Sequence, residues 1–328
     1  MNRKSIAAIA ALISLTSLST AQAAKTLTFA HAHPVSDSQH IAAERFAERV
    51  QERSDGELNI RVFPNGQLGS DQAMIAGVRG GTIDIELSGN PYFSGLIGEL
   101  NVLDLPFLFD DSEQAFRVLD GDVGQSLLAR MSERGIEGLA FWEIGFRDLT
   151  NSRRPIETAA DIEGLKLRTT PNPMHIAAFE ALGANPVPMP FAELFTSLET
   201  RTVDGQENPV SLIRSANLYE VQNHLSLTSH AYTAAPLIMN KNRFDALPEA
   251  QQQLLREEAL EAARYQRELN QTGRTSDLEF LQQQGMQIVE NPDRASMRDE
   301  VASSVRDAFA AQYGSELLER VEAAKAAN

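Results

Sequence analysis

Short apolar segments alternate with amphipathic segments along most of the chain. TLTFA (26–30) has the alternation of a short strand, and Pro34 separates it from a helical pattern that begins SQHIAAERFAERV. Ser36 or Asp37 stands where the cap of that helix belongs, because a short side chain with an acceptor oxygen satisfies free N–H groups at a helix start. The start of the chain therefore predicts a strand, a loop and a capped helix.

The later segments continue this alternation. IEGLAFWEIGFRDLTNS (136–152) is predicted as two extended pieces hinged at Gly145, and VDGQENP (203–209) as a loop. Alternating strands and helices predict an α/β fold, with parallel or mixed sheets wrapped by helices and ligands at the carboxyl ends of strands. Strands are predicted over 57–63, 82–88, 164–168 and 185–191, and helices over 70–81, 112–121, 174–183, 192–201 and 247–285, with two more helical segments afterwards.

The first 23 residues have the pattern of a secretory signal peptide. MNRK is positively charged, SIAAIAALISLTSL is apolar but short for a bilayer span, and AQA (21–23) fits a small-residue cleavage site. No later segment is apolar for long enough to cross a membrane. We therefore expect an exported protein that is cleaved near Ala23 and is soluble in the periplasm.

The composition narrows the possible partners. The chain has 45 acidic and 29 basic side chains and a formal net charge of −16. Such a surface argues against nucleic acid or anionic lipid as partners. The chain has no cysteine, so its fold does not depend on disulfides. An acidic protein that binds an anion must concentrate positive charge locally.

No catalytic or cofactor motif is present in the sequence. The chain lacks a cysteine nucleophile, a G-x-S-x-G elbow, a phosphate loop and an H-E-x-x-H motif, and SGNPYFSG lacks the spacing of a dinucleotide fingerprint. Asp84 and Glu86 have strand spacing, but such a pair usually lies on a solvated face. We therefore expect neither catalysis nor a cofactor.

Three of the six histidines lie in HAHPVSDSQH (31–40). His31, His33 and Asp37 are of the types that bind zinc. However, H-x-H followed later by His40 matches no closed structural zinc pattern. The alternative is a loop between strand and helix, and the spacing alone does not decide between the two.

Two arginines stand near strand ends with apolar neighbours. In GLKLRTTPNP, alternate residues share a face, so Arg168 points away from Leu165 and Leu167 and comes last before the prolines. Arg147 is placed similarly in FWEIGFRDLTNS. A surface ion pair is the default for an exposed arginine. The apolar flanks favour instead a guanidinium that binds a planar carboxylate through two parallel hydrogen bonds.

In combination, these segments resemble the extracytoplasmic solute receptors of TRAP transporters, the tripartite ATP-independent periplasmic carriers. The similar motifs are FAERVQERSDGELNIRVFPNGQLGSD, DLPFLF, GLKLR and NPVPMPFAELFTSLETRTVDGQENP. The resemblance implies an α/β, two-lobed periplasmic binding protein fold with mixed sheets wrapped by helices, a hinge, an interlobe cleft and a long helix near the C-terminus. The expected division is a signal peptide in 1–23, lobe I in 24–144 and 234–273, and lobe II in 145–233 and 274–328.

The resemblance also implies how the ligand is held. Arg168 matches the arginine that forms the principal bidentate salt bridge with the substrate carboxylate, and Asn208 matches an asparagine that also binds it. Arg147 matches a second arginine that some members use. Phe191 resembles the aromatic residue that packs on the ligand.

Two loops are expected to add contacts in the cleft. LSGNPYF matches a segment that varies with substrate, so Ser88, Asn90 and Tyr92 are candidates. A sialate-binding branch has a glutamate where this chain has Gly89, which argues against sialate. The loop 31–40 lies at the cleft rim in this architecture. His31, His33 and Asp37 are therefore expected to contact ligand hydroxyls rather than a metal, and His40 to be structural.

We therefore expect a monomeric periplasmic receptor, without metal or cofactor, that delivers a small carboxylate to the small and large membrane subunits of a TRAP transporter. Sugar acids such as aldonates or uronates, and C4-dicarboxylates, are the expected ligands. The protein is not expected to be membrane-embedded. A binding protein of an ATP-driven importer is the first alternative, and a periplasmic enzyme acting on sugar acids is the second.

Overall fold

The computed structural model describes residues 24–327. The predicted signal peptide, residues 1–23, lies outside the described residues. Within 24–327, no helix combines the length and the apolar character needed to span a membrane.

Nine strands form one mixed sheet in the order β2-β1-β3-β8-β4-β7-β5-β6, with β9 beside β8. Strand β1 runs parallel to its neighbours β2 and β3, and β5 runs parallel to β6 and β7. Strand β8 is antiparallel to β3 and β4, and β4 is antiparallel to β7. The strands are β1 (Lys25–His31), β2 (Leu58–Phe63), β3 (Ile85–Leu87), β4 (Ile136–Asn151), β5 (Lys166–Thr169), β6 (Asn185–Pro188), β7 (Gly205–Asn208), β8 (His224–Asn240) and β9 (Gln287–Val289).

Eleven α-helices accompany the sheet within residues 24–327. They are α1 (Ser38–Arg53), α2 (Asp71–Gly80), α3 (Ser112–Asp120), α4 (Asp122–Ser132), α5 (Pro173–Ala181), α6 (Leu194–Glu199), α7 (Val210–Ser215), α8 (Lys241–Asp245), α9 (Glu249–Gln283), α10 (Arg294–Tyr313) and α11 (Glu316–Ala326). Five short 3-10 helices occupy Asn90–Phe93, Gly98–Asp104, Ala159–Ile162, Phe191–Glu193 and Leu218–Glu220.

The first two helices are both capped, and the cap of α1 is one of the two residues predicted, Ser36 or Asp37. Asp37 caps α1 by accepting a hydrogen bond from the backbone N–H of Gln39. Ser70 caps α2 in the same way, and Gly81 ends that helix in a left-handed conformation that costs glycine little. These caps fix the loops that follow β1 and β2, which lie at the carboxyl ends of those strands.

Strands β4 and β8 are the two longest strands and pair with each other in the middle of the sheet. The prediction of two extended pieces in 136–152 is wrong in one respect, because β4 is continuous. Its ladder with β8 shifts register between Glu143 and Gly145, where Gly145 has a φ of 117°. The expected break is therefore an irregularity within one strand, of the kind that bends a strand without interrupting it.

The prediction of a loop over 203–209 is wrong as well. Residues Gly205–Asn208 form β7, and all four are buried. The polar side chains of this strand suggested a loop, but they are satisfied by partners in neighbouring strands. Gly205 is required there, because a Cβ at that position would lie 2.2 Å from the backbone oxygen of Thr150.

The long helix α9 was predicted and is confirmed. Its first part packs in a core cluster with β4, where Trp142 donates from its indole N–H to the carbonyl oxygen of Ala259 at 2.9 Å. Its last part places Leu281 in another core cluster with Leu225 of β8. The predicted lobe boundaries, at 144/145, 233/234 and 273/274, fall within β4, β8 and α9. The division into lobes stays a prediction.

Trp142 is the single tryptophan of the chain and is fully buried. We expect Trp142→Phe to lower the free energy of unfolding by about 1 to 3 kcal/mol, because the smaller ring leaves space and Ala259 loses a donor. Urea denaturation followed by circular dichroism measures this. Leu68→Ala, at an exposed position, is the control and should change stability little. A wild-type midpoint for Trp142→Phe would show that this contact does not anchor α9.

Candidate ligand-binding site

A cavity lies beside the carboxyl ends of β1, β3, β5 and β7. The space in it that a water-sized molecule can occupy is about 20 Å³. Apolar side chains, including Ile144 and Leu212, form part of its wall. The cavity brings together six of the ten residues predicted to bind ligand: His33, Tyr92, Arg147, Arg168, Phe191 and Asn208.

Arg168 is buried in this cavity without an anionic partner. It lies on β5, one residue before the strand ends, and is only 1% exposed. Its Nε and Nη2 donate to the carbonyl oxygen of Met189 at 3.2 and 2.9 Å, and Nη2 also donates to the Tyr92 hydroxyl at 3.1 Å. None of these bonds uses Nη1. Among the described residues, no carboxylate oxygen lies within the 4.0 Å of an ion pair.

Arg147 has the opposite environment, because its charge is already neutralised. Its guanidinium on β4 pairs with Glu207 of β7, and both side chains are buried. It also donates to the Thr233 hydroxyl at 3.2 Å and to Asn208 Oδ1 at 3.1 Å. Burial alone would raise the pKa of Glu207, but the charge of Arg147 and hydrogen bonds from His230 and Arg147 hold that pKa far below its usual value. Glu207 is therefore ionised.

Asn208, Phe191 and His33 complete the cavity lining. The side-chain amide of Asn208 donates to Gln206, while its oxygen accepts from Arg147. The ring of His33 stacks on that of Phe191 with centroids 5.8 Å apart, and its Nδ1 lies 3.0 Å from Asp37 Oδ1. The aromatic face and the imidazole therefore form one side of the cavity.

Four predicted contact residues do not belong to the cavity lining: His31, Asp37, Ser88 and Asn90. His31 is buried, and its Nε2 lies 3.2 Å from His40 Nδ1. Burial is the main cause that lowers the pKa of His31 to about 3, and the charges of His33 and His40 lower it further. Asp37 caps α1 and accepts from Ser215 at 2.9 Å. Their contacts with ligand stay predictions.

Ser88 and Asn90 make hydrogen bonds to residues outside the predicted contact set and do not line the cavity. Ser88 contacts Asp71 and Glu86. Asn90 donates to the carbonyl oxygen of Leu100 at 2.9 Å and to Asp104 at 2.8 Å. Their direct contacts with ligand also stay predictions. Within residues 24–327, no group of three or more histidine, aspartate or glutamate side chains is placed to hold a metal ion.

Sequence reasoning missed Asp71. It begins α2, is 3% exposed and lines the cavity. Its Oδ1 accepts from Ser88 at 3.1 Å, but its Oδ2 has no hydrogen-bond partner among the described residues. Its position could have indicated this role, because Asp71 directly follows the loop at the carboxyl end of β2, where ligands of α/β folds bind. The related prediction that Asp84 and Glu86 lie on a solvated face is wrong, because both are buried.

The fold and cavity are those of a two-lobed solute receptor, and the comparisons agree. The chain is 47% identical over 302 residues to the 2,3-diketo-L-gulonate-binding periplasmic protein YiaO of Escherichia coli, covering 92% of each chain. It also resembles two solved structures, each with a TM-score of 0.89. One is the sugar acid binding protein DctPAm from Advenella mimigardefordensis in complex with galactonate, with 38% identity and coverage of 92% of this chain and 98% of that chain. The other is a TRAP periplasmic solute binding protein from Polaromonas bound to D-erythronate, with 37% identity and coverage of 93% and 99%.

A family model described as bacterial extracellular solute-binding protein, family 7 (DctP) matches residues 29–312. The chain therefore belongs to this family, the periplasmic solute receptors of TRAP transporters. The predicted family and the two-lobed α/β fold are confirmed. The family consists of solute-binding receptors rather than enzymes.

The Arg147–Glu207 pair gives a prediction for stability. Because the pKa of Glu207 is lowered in the folded protein, its contribution is present above the pKa of the unfolded chain and is lost as the pH falls through the folded value. Glu207→Gln leaves Arg147 buried without a counterion. We expect it to lower the free energy of unfolding near neutral pH by about 3 to 5 kcal/mol.

The same variant should lose less further stability than the wild type on acidification to about pH 3, because the group that titrates is absent. Urea denaturation at both pH values measures this. Glu193→Gln, at an exposed position, is the control and should follow the wild type. Equal acid sensitivity of Glu207→Gln and wild type would show that the pair does not contribute in this way.

Proposed function

We propose that this receptor captures a small hydroxylated carboxylate, a sugar acid, and delivers it to the membrane subunits of a TRAP transporter. The observation that carries the proposal is Arg168, a buried guanidinium in the cavity with no carboxylate partner among residues 24–327. Removing a charge from water is costly unless a paired, hydrogen-bonded partner offsets the loss. A ligand carboxylate is the partner that this position lacks.

The carboxylate would be held from two directions. Arg168 Nη1 makes no hydrogen bond to the described protein and is free to donate. The Tyr92 hydroxyl accepts from Arg168, so its own hydrogen is also free. Burial raises the pKa of Tyr92 to about 12, which keeps that hydrogen in place at neutral pH. A guanidinium and a phenol together match the two oxygens of one carboxylate.

The same contacts would couple binding to closure of the lobes. In the expected division, Tyr92 belongs to lobe I and Arg168 to lobe II, so their 3.1 Å bond crosses the cleft. The stack of His33 on Phe191 and the bond from Ser215 to Asp37 cross it as well. A ligand that bridges both lobes stabilises the closed state relative to the open one.

Sugar acids are supported by the relatives. The Escherichia coli protein is named for 2,3-diketo-L-gulonate, and the two similar structures contain galactonate and D-erythronate. Each is a carboxylate with several oxygen substituents. We extend this ligand class, the periplasmic location and the TRAP membrane subunits to the present chain. An ATP-driven importer as the partner and enzymatic turnover of sugar acids are the alternatives, and membership of the TRAP receptor family disfavours both.

Arg168 provides the test of this function. We expect Arg168→Ala to weaken binding by roughly 30- to 5000-fold, because truncating one member of a buried charged pair costs about 2 to 5 kcal/mol. Arg168→Lys should also bind weakly, since an ammonium lacks the planar fork. Isothermal titration with galactonate, D-erythronate and 2,3-diketo-L-gulonate measures the dissociation constants.

Arg153→Ala is the matched control, because Arg153 is largely exposed and should not affect binding. The melting temperature without ligand shows whether each variant is folded. Wild-type affinity in Arg168→Lys would overturn recognition by the guanidinium fork. Unfolding of Arg168→Ala without ligand would show that Arg168 is structural.

A further inference from the structure

We infer that the cavity selects acids with one carboxylate and a distant hydroxyl, because the Asp71 carboxylate accepts from that hydroxyl and repels a second carboxylate. This inference rests on the proposed function, in which Arg168 binds the first carboxylate. It assigns Asp71 as a specificity-determining residue and excludes C4-dicarboxylates and other diacids as preferred ligands.

Only one of the two arginines in the cavity has a charge that is available to an anionic ligand. Two arginines line it, but the charge of Arg147 is neutralised by Glu207 in a buried contact. All three of its nitrogens already donate to Glu207, Thr233 or Asn208. Of the two guanidinium groups, only that of Arg168 has a terminal nitrogen, Nη1, without a hydrogen bond to the described residues. A second carboxylate on the ligand would therefore find no second free guanidinium.

Asp71 approaches from the other lobe. Arg168 stands on β5, whereas Asp71 begins α2, and no contact within 4.0 Å joins the two side chains. Both nevertheless line the same cavity. The unpartnered Oδ2 of Asp71 is a buried acceptor, and buried acceptors are nearly always satisfied. A hydrogen-bond donor on the ligand would satisfy it.

The contacts of Ser88 with Asp71 and Glu86 indicate that Asp71 carries a negative charge. The Ser88 hydroxyl has one hydrogen, but its oxygen contacts carboxyl oxygens of both Asp71 and Glu86. A proton on one of the two carboxyl groups would give the Ser88 oxygen a donor as well as an acceptor. Glu86 is fully buried and does not reach the cavity, and burial raises its pKa well above the usual value. Burial raises the pKa of Asp71 as well, but Arg168 and the bond from Ser88 oppose that shift, whereas the charge of Asp71 raises the pKa of Glu86 further. The proton is therefore assigned to Glu86, and the charge to Asp71.

A hydroxyl and a carboxylate at this position have opposite consequences. A hydroxyl donates to Asp71 Oδ2 in a charge-assisted bond, which favours the ligand. A carboxylate would face the Asp71 charge in a desolvated cavity, where like charges are strongly unfavourable. We expect a monoacid to bind roughly 100-fold or more tightly than the diacid of equal length.

Matched acids test the inference directly. Galactonate and galactarate differ only in whether the far end is a hydroxymethyl group or a carboxylate, and D-erythronate and meso-tartrate form the four-carbon pair. Isothermal titration of wild type should show the monoacid preference in at least one pair. Asp71→Asn removes the charge but keeps the shape. It should weaken monoacid binding by about 10- to 150-fold and reduce the preference to less than about tenfold.

Asp55→Asn is the matched control, because Asp55 lies in an exposed turn. Equal wild-type affinity for the two acids in both pairs would overturn the inference even if Asp71→Asn fails to fold. An unchanged preference in folded Asp71→Asn would overturn it as well.

Arg168→Ala, measured in parallel, separates this inference from the proposed function. If Arg168→Ala loses binding while Asp71→Asn keeps the wild-type preference, only the role of Asp71 is wrong. If Arg168→Ala binds galactonate like wild type, the carboxylate lies elsewhere and the proposed function of the site fails first.

Discussion

The buried pair of Arg147 and Glu207 is the interaction on which the cavity depends. Two ions removed from water are stable together only when their geometry is good and further hydrogen bonds satisfy the remaining donors. Here Thr233 and Asn208 accept from the guanidinium, and His230 lies 3.4 Å from the carboxylate. Arg147, Glu207 and Thr233 stand on β4, β7 and β8, so the pair joins three strands at the point where the cavity lies.

This pair also explains why two arginines in one cavity have different roles. Arg147 is held by an internal carboxylate and shapes the wall, whereas Arg168 is oriented by uncharged acceptors, the Met189 carbonyl and the Tyr92 hydroxyl. Uncharged acceptors fix the direction of a guanidinium without neutralising it. The protein therefore keeps one positive charge oriented and available. In the proposed function, this lowers the cost of ordering the site when the carboxylate binds.

Local pattern was sufficient where a residue's role depends on its sequence neighbours. Asp37 was one of two residues predicted to cap the first helix, and Arg168 was placed at a strand end, because capping and alternation are short-range properties. Strand β7 was mistaken for a loop because Glu207 is matched by Arg147, sixty positions away, which no local pattern shows. Asp71 was missed for the same reason: a first-turn acid is ordinary in a helix, and only the packing of α2 beside the cavity gives it a second role.

The course of β8 has a consequence for how the chain acquires its structure. Strand β3 has β1 on one side, and on the other it pairs Ile85 with Met239 of β8. A growing chain that already contains β1 to β7 still lacks the strand that joins β3 to β4. Pairings of such large sequence separation form late and slowly, because a long loop must close before they can contribute. The central sheet thus assembles only after most of the polypeptide has been synthesised.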